Sequence, residues 1–569
     1  MYRLFFGFLI AALPSVSFAQ SVACWLDSLS AREELSASIA TNKDLRPLWS
    51  YSNRWGVYTQ YERAEFFASA RADIRILHTP HTNLHAGLGL VASTDDSRRV
   101  PHEAYLSGNV FMFDYLAGMK AYSPLAADDD VSSGNYLMSS NARPTPRIGL
   151  GIFDYFSVPF TRDWLQVKGG VFVGRLFDDD FDDDYTSLFT TSVTLHEKFA
   201  YVRIGGWYVK PYIGLVHSVL IGGTTPDGHK IPTDFWASFF GRGSEDFRDY
   251  DGGWLRGEAT NAAGAHQGIW DFGADFSLGD FKAHLYYQRI FTDAVGVDPL
   301  SKYVKDYYLG LTLHTPSPLF RKVNVEYVKT YDQMGDGTPD PIGRDKNGAL
   351  MAVYPGDFPL EQNALMDWLH EHFTDEDLAD WQARSGKPLN YHTVNTFLRD
   401  HWGNGEKSGR KVYLNNGLYY QGWTQNGLSL GTPLFHSAKT MRAYMSDSDR
   451  AQMLIFLANT RVAAVNIGLV GNVSPRHSYQ FRYTFSRNHG SIVEKYDGGA
   501  FSMTPYKDYF YESAKIQNYL LLSTSYDVSD GFLNLFRLRF EVAADFGELY
   551  SSTAFRVACI HYLNFRHVR

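Results

Sequence analysis

Only two cysteines occur in 569 residues, Cys24 and Cys559 at opposite ends of the chain, which excludes a small secreted domain held together by disulfides. Whether these two pair is not fixed by sequence, since bridging depends on geometry. Beyond the first residues, no stretch reaches the roughly 18 consecutive apolar residues of a membrane-spanning helix. Basic residues are not in excess either. A formal net charge of −9 leaves no surface to neutralise phosphates, so a nucleic-acid partner is not expected.

Catalytic motifs are equally scarce. No His-Glu-x-x-His and no Walker-type phosphate loop is present. His370 and His372 flank Glu371, but positions i and i+2 diverge on a helix and do not share a metal. Gly427-Leu428-Ser429-Leu430-Gly431 spells a nucleophile elbow, yet Thr432-Pro433 follows where an elbow needs a helix. Gly149 and Gly151 are spaced as in a dinucleotide fingerprint, but Asp154 stands where the third small residue belongs. No catalytic residue emerges, and the expectation is a non-enzymatic protein without a cofactor.

What the chain has in quantity is rings: 37 Tyr and 40 Phe, with aromatics at 16%. Residues 479–486, Tyr-Gln-Phe-Arg-Tyr-Thr-Phe-Ser, alternate strictly between ring and polar side chain. On a strand this puts Tyr479, Phe481, Tyr483 and Phe485 on one face and Gln480, Arg482, Thr484 and Ser486 on the other. The pattern recurs in 281–291 (where Arg289 interrupts the apolar side), 323–330 and 536–542. Arg, Lys and Glu on the inner face require a solvated or charge-paired interior, because an uncompensated charge in an apolar core is prohibitive. A β-sandwich does not offer that; a barrel lumen does.

The N-terminus reads as a secretory signal over 1–19, with Arg3, an apolar run from Leu4 to Leu13, and a Ser17-Phe18-Ala19 cleavage site that starts the mature chain at Gln20. Ser21 occupies the position where lipidation of Cys24 would want an aliphatic residue. An exported, aromatic-rich chain without membrane helices predicts an all-β fold: an outer-membrane antiparallel barrel of about 16–18 strands in a Gram-negative bacterium.

Residues 20–47 form a polar N-terminal segment whose Leu29, Leu35 and Ile39 sit at loose helical spacing, which predicts a periplasmic helical element. Strand-like runs fill 48–334 and 412–569, the two parts of the barrel, and include 186–194, 412–423 and 452–459. Between them, 335–411 changes period. Leu365, Leu369 and Phe373 make a helical stripe, and Thr374 reads as an N-cap before three acidic residues. This insertion is expected to be helical and extracellular, where the long loops of such barrels lie.

Two groups of residues are candidates for binding. Tyr419, Tyr420, Trp423 and Asn426 lie in a run that mixes rings, amides and glycines. Sugars offer C–H faces to rings and hydroxyls to amides, so these four are the candidate polysaccharide site; the alternative is a hairpin with girdle aromatics. Asp178, Asp180, Asp182 and Asp184 belong to an acidic run that would suit calcium, or else form a solvated loop tip, and their spacing matches no EF-hand.

Several blocks, in order, resemble one known family. They are Leu48-Trp49 through Asn53-Arg54-Trp55-Gly56, Leu195-His196-Glu197-Lys198 through Gly205, Gly214-Leu215-Val216-His217 through Gly223, and Ile231-Pro232-Thr233-Asp234-Phe235 with Phe239-Phe240-Gly241. Next come His266-Gln267-Gly268-Ile269-Trp270-Asp271-Phe272, Tyr286-Tyr287-Gln288, Asn415-Asn416-Gly417-Leu418-Tyr419 through Gly431-Thr432-Pro433-Leu434, Asn459-Thr460-Arg461-Val462, and Tyr483 through Asn488. In these blocks the chain is similar to the Wzi-type capsule assembly proteins of the outer membrane, in their Bacteroidetes-like form. The resemblance implies a barrel of about eighteen strands closed by helical elements. It also implies a non-enzymatic, lectin-like role, binding capsular polysaccharide and helping attach or assemble it at the cell surface. The 335–411 insertion is longer than that pattern, and the resemblance brings no residue-level sugar site. The alternative from the same barrel physics is a porin-like channel for saccharides or other solutes.

Overall fold

The computed structural model describes residues 28–94, 101–125, 128, 130–178, 185–247, 262–292, 297–300, 304–333, 342–352, 358–359, 361–402, 412–446, 454–495, 509–530 and 534–563. Among them, eighteen strands form one antiparallel barrel. They are β1 (Leu29–Ala40), β2 (Ala64–Thr79), β3 (Thr82–Ser93), β4 (Glu103–Val110), β5 (Phe113–Met119), β6 (Arg147–Ser157), β7 (Leu165–Arg175), β8 (Thr194–Ile204) and β9 (Val209–Ile221). The circuit continues through β10 (Ala265–Leu278), β11 (Phe281–Phe291), β12 (Tyr307–His314), β13 (Lys322–Lys329), β14 (Val462–Ser474), β15 (His477–Asn488), β16 (Lys515–Asp530), β17 (Asn534–Gly547) and β18 (Ser552–Leu563). Each strand pairs with the next, and β1 also pairs with β18, Leu35 opposite Cys559, so no edge is left open.

The alternation that marks 479–486 is realised throughout the wall. In β15, Arg482, Thr484 and Ser486 are buried inside, whereas Tyr479, Phe481, Tyr483 and Phe485 are only partly covered. In β17, Phe536, Phe540 and Val542 are exposed and Glu541 is buried. Exposed Leu35, Leu106, Ile148, Leu285, Val325, Ile467 and Val557 continue the apolar exterior around the circuit. No described helix is long and apolar enough to cross a membrane. The exterior is instead a belt of strand residues suited to lipid. Inside, rings lie flat across glycines of the neighbouring strand: a Cβ at Gly149, Gly214 or Gly310 would sit 2.1–2.2 Å from the rings of Phe172, Tyr201 or Tyr286.

Four expectations are corrected. Residues 29–40 are not a helix but β1, the strand that closes the barrel. Glu34, Ser36 and Ser38 point in and Leu35 and Ile39 point out, a period of two that the small Ala and Ser residues disguise. Residues 186–194 hold a 3-10 turn, Thr186–Leu188, before β8 begins. Residues 412–423 are not a wall strand: they make turns inside the lumen, and the described residues of 452–459 contribute only a short strand, Leu457–Asn459.

Connections at one end of the barrel are short, as at 80–81, 111–112, 279–280 and 475–476, whereas the other end carries long segments such as 41–63, 120–146, 222–264 and 330–461. The last of these contains α2 (Gln362–His372), α3 (Asp375–Ser385) and α4 (Val394–Trp402), while α1 (Leu48–Tyr51) lies in the first. Leu365, Leu369, Phe373, Trp381, Phe397 and Leu398 give α2–α4 an apolar core of their own. Thr374 caps α3 in a reciprocal capping box with Asp377, and Gly386 ends it at φ 65°.

Candidate functional site

The lumen is occupied by the chain itself. From the end with the long segments, the described residues of 41–63, 120–146 and 412–461, including α5 (Ala438–Tyr444), fold inward and pack Trp49, Tyr136, Tyr413, Tyr419, Trp423 and Phe456 into one buried core. Two of their polar groups are anchored: Trp423 Nε1 donates to the Leu137 carbonyl at 2.9 Å and Tyr136 Oη to Gln267 Oε1 at 2.9 Å. One limb crosses most of the barrel. Asp128 meets Lys322 Nζ at 2.7 Å, and the Asp130 carbonyl accepts from Gln480 Nε2 at 2.7 Å, both wall residues being in the halves nearest the short turns.

Charge ties this plug to the seam between first and last strands. Arg54 of the plug donates both Nη1 and Nη2 to Glu541 of β17 at 2.9 Å each. Arg556 of β18 contacts Glu541 and Glu65 at 3.3 Å and donates to the Ser50 carbonyl at 2.8 Å. Arg539 bonds Glu34 of β1 at 2.8 Å and the Tyr58 hydroxyl at 2.9 Å, and Tyr58 in turn donates to Glu34. Arg482 stacks on Trp49 with its guanidinium 4.4 Å from the ring centre. Fork-shaped pairing of this kind gives a buried carboxylate several directed donors.

Among the titrating groups of the plug and its surroundings, His436 and Asp306 are displaced from their usual range in opposite directions. Burial pulls His436 from 6.5 down to about 4; its ring nitrogens meet the hydroxyls of Tyr444 and Tyr519, both at 3.2 Å. Burial pushes Asp306 up from 3.8 to about 6 against the N–H groups of Asp332 and Gln333 and the Tyr413 hydroxyl, which favour its charged form.

Two larger cavities remain in the lumen, the second of them lined in part by Pro124, Leu125, Asp128, Ser132, Gly134 and Asn135 of the limb. One, of about 730 Å³, is bounded by β1–β6 and β18 and lined by Arg32, Arg71, Asp73, Arg75, Asn83, Tyr105, Asp114, Tyr115, Asp154 and Tyr562. Most strand residues in this set lie toward the short-turn end, while Arg71 and Tyr105 lie in the other halves of β2 and β4. The other, of about 350 Å³, faces β6–β13. There Asp271 accepts from the Tyr201, Tyr212 and Gln288 side chains at 3.1–3.2 Å, with no Arg or Lys among its direct donors. A third space of about 280 Å³ shares Arg32 and Arg71 with the first and runs beside Trp49 and Arg482. Rings, amides and charges of both signs over this area can hold a polyhydroxylated ligand.

The residues singled out for sugar binding are placed elsewhere than expected. Tyr419 and Trp423 are buried in the plug, and Tyr420 is half-buried against Tyr185 and Phe189, so these rings present no open stacking face. The reason is the turn-rich path of 412–427, where Leu414, Gly422 and Asn426 all have positive φ and fold the segment inward. Asn426 is brought to Asp178, whose Oδ1 accepts its N–H at 2.8 Å. Asp180, Asp182 and Asp184 lie outside the described residues, and among those described no cluster of three His, Cys, Asp or Glu could hold a metal. Ser429 sits buried in a two-residue strand, accepting from the Gly431 N–H at 3.2 Å. His370 pairs with Asp375 and His372 lies near Asp345, on separate sides of α2. Cys559 faces outward, and Cys24 lies outside the described residues.

Sequence reasoning missed the luminal cavity. Its lining comes from strands spread between β1 and β18, and no local run holds more than a few of its residues.

No protein-family model matches the chain, and no curated protein matches it. Among solved structures it is similar to Wzi of Escherichia coli, described as an outer-membrane, carbohydrate-binding β-barrel involved in group 1 capsule assembly (10% identity, 94% of this chain and 84% of that one, TM-score 0.45). It is similar also to two Pseudomonas aeruginosa proteins: OccK5 (8% identity, 94% and 97%, TM-score 0.41) and OccK3 (9%, 95% and 98%, TM-score 0.40). At these identities and scores the likeness does not separate carbohydrate binding from conduction.

Proposed function

We propose that the protein is a non-conducting barrel of a Gram-negative outer membrane that binds capsular or other surface polysaccharide and helps attach or assemble it at the cell surface, without an enzymatic step. The observation that carries this reading is the plug. An interior packed with buried Trp, Tyr and Leu side chains and fastened by paired arginines fits a holding role better than a pore. In this reading residues 1–19 direct export, short turns face the periplasm, and the 335–411 helices face outward. Deleting the gene should release polysaccharide from the cell surface into the medium, measured by immunoassay of cell and supernatant fractions. Unchanged retention counts against the proposal.

A porin-like channel is the second reading. It is favoured by one feature, the polar space beside the plug that shares Arg32 and Arg71 with the larger cavity.

A further inference from the structure

The cavity of about 730 Å³ holds charges of both signs, some of them paired: Asp73 meets His85 at 2.9 Å and accepts from the Tyr105 hydroxyl at 2.8 Å, and Arg71 meets Glu103 at 3.1 Å. Arg75, on β2, has no acidic partner among the described residues. Lys120 donates to Ser107 Oγ at 2.9 Å and lies over the rings of Tyr105 and Tyr122, at 4.7 and 5.5 Å, again without a carboxylate partner. On the β5–β6 side of the same space, Asp114 accepts the Phe153 N–H at 2.7 Å and Asp154 lines the cavity, and among the described residues neither forms a salt bridge. Asp154 is turned inward by a bulge in β6, where the pairing with β7 slips between Ile152 and Phe156. Arg75 and the carboxylates of Asp114 and Asp154 stand on separate parts of the wall. From β2 to β5 is three strand spacings, or about 14 Å along the wall at ~4.8 Å per strand.

Such a space suits a ligand that carries a carboxylate at one place and hydroxyls at another, with ring faces for its C–H surfaces. We propose that this cavity is a binding site for an acidic oligosaccharide bearing uronate-type carboxylates, which enters from the short-turn mouth. Its carboxylate sits on Arg75 and Lys120, its hydroxyls donate to Asp114 and Asp154, and the rings of Tyr105 and Tyr122 frame it. The site rests on the polysaccharide reading and adds to it the ligand's charge and the side from which it arrives.

Tri-galacturonate and neutral maltotriose, titrated calorimetrically into the purified full-length protein in detergent, test the proposal. The acidic trisaccharide should bind, more weakly as salt rises. Arg75→Ala and Lys120→Ala should each lower its affinity about 10-fold, equivalent to about 1.4 kcal/mol, while Arg75→Lys retains part of it. Heat-modifiable migration on gels checks that each variant is folded. Equal affinity for the two trisaccharides, or variants that bind tri-galacturonate as well as the parent, overturns the inference. If tri-galacturonate fails to bind while purified surface polysaccharide still does, the cavity site falls and the polysaccharide reading stands. If neither binds, both fall.

Discussion

Replacing Glu541 by Ala isolates the contact that fastens the plug to the seam. Glu541 is 5% exposed and takes both arms of Arg54, together with contacts from Arg556 and Arg539. After its removal, Arg556 keeps Glu65 and the Ser50 carbonyl, and Arg539 keeps Glu34. Arg54 keeps no carboxylate, only the Tyr58 ring at 5.3 Å. Stranding one buried partner of an ion pair costs about 3–5 kcal/mol. The Glu541→Ala/Arg54→Ala double variant removes the stranded cation as well. It should therefore recover part of that loss, giving a coupling of at least about 1.5 kcal/mol. Urea unfolding of the refolded barrel in phospholipid vesicles, followed by tryptophan fluorescence, reads these differences as midpoint shifts. A single-variant loss below about 1 kcal/mol, or additivity within about 0.5 kcal/mol, would refute the claim that this pair secures the plug.

Three further outcomes follow from named contacts. Trp423→Ala leaves a cavity and a bereft Leu137 carbonyl, and should cost about 3–5 kcal/mol in the same unfolding assay. His436 and Asp306 act in opposite senses with pH. The lowered His436 contributes stability that is full above 6.5 and lost as pH falls through about 4, whereas the raised Asp306 contributes stability that is full below 3.8 and lost as pH rises through about 6. Each gap is worth about 3 kcal/mol, so the two largely cancel. Between pH 4 and 6.5, unfolding midpoints of Asp306→Asn should rise with pH and those of His436→Gln should fall; parallel profiles for both variants would contradict the assignment. Thr374→Ala breaks the capping box of α3 and should speed amide exchange in its first turn by about 5-fold, equivalent to about 1 kcal/mol, leaving the barrel amides unchanged.

The wall was legible wherever side chains contrast strongly. In 479–486 and 536–542, Phe and Tyr alternate with Arg, Gln and Glu, and two faces follow at once. In β1 the same geometry is written in Ala, Ser and Leu, whose small differences in hydropathy let a helical spacing compete. The plug was illegible for another reason. A luminal segment that must bury tyrosines beside polar wall residues has the composition of a girdle strand, so 412–423 read as wall and its rings as exposed. Pairing over long separations, such as Arg54 with Glu541 or Trp423 with Leu137, leaves no local trace at all.

The central claim is that a packed plug makes this barrel a holder of polysaccharide rather than a conduit. Single-channel recording of the purified wild-type protein in planar bilayers tests it most directly. The account predicts no stable openings across the applied voltages, with conductance appearing only when the plug is loosened, as in Trp423→Ala. Large, stable openings of the wild-type protein would contradict it.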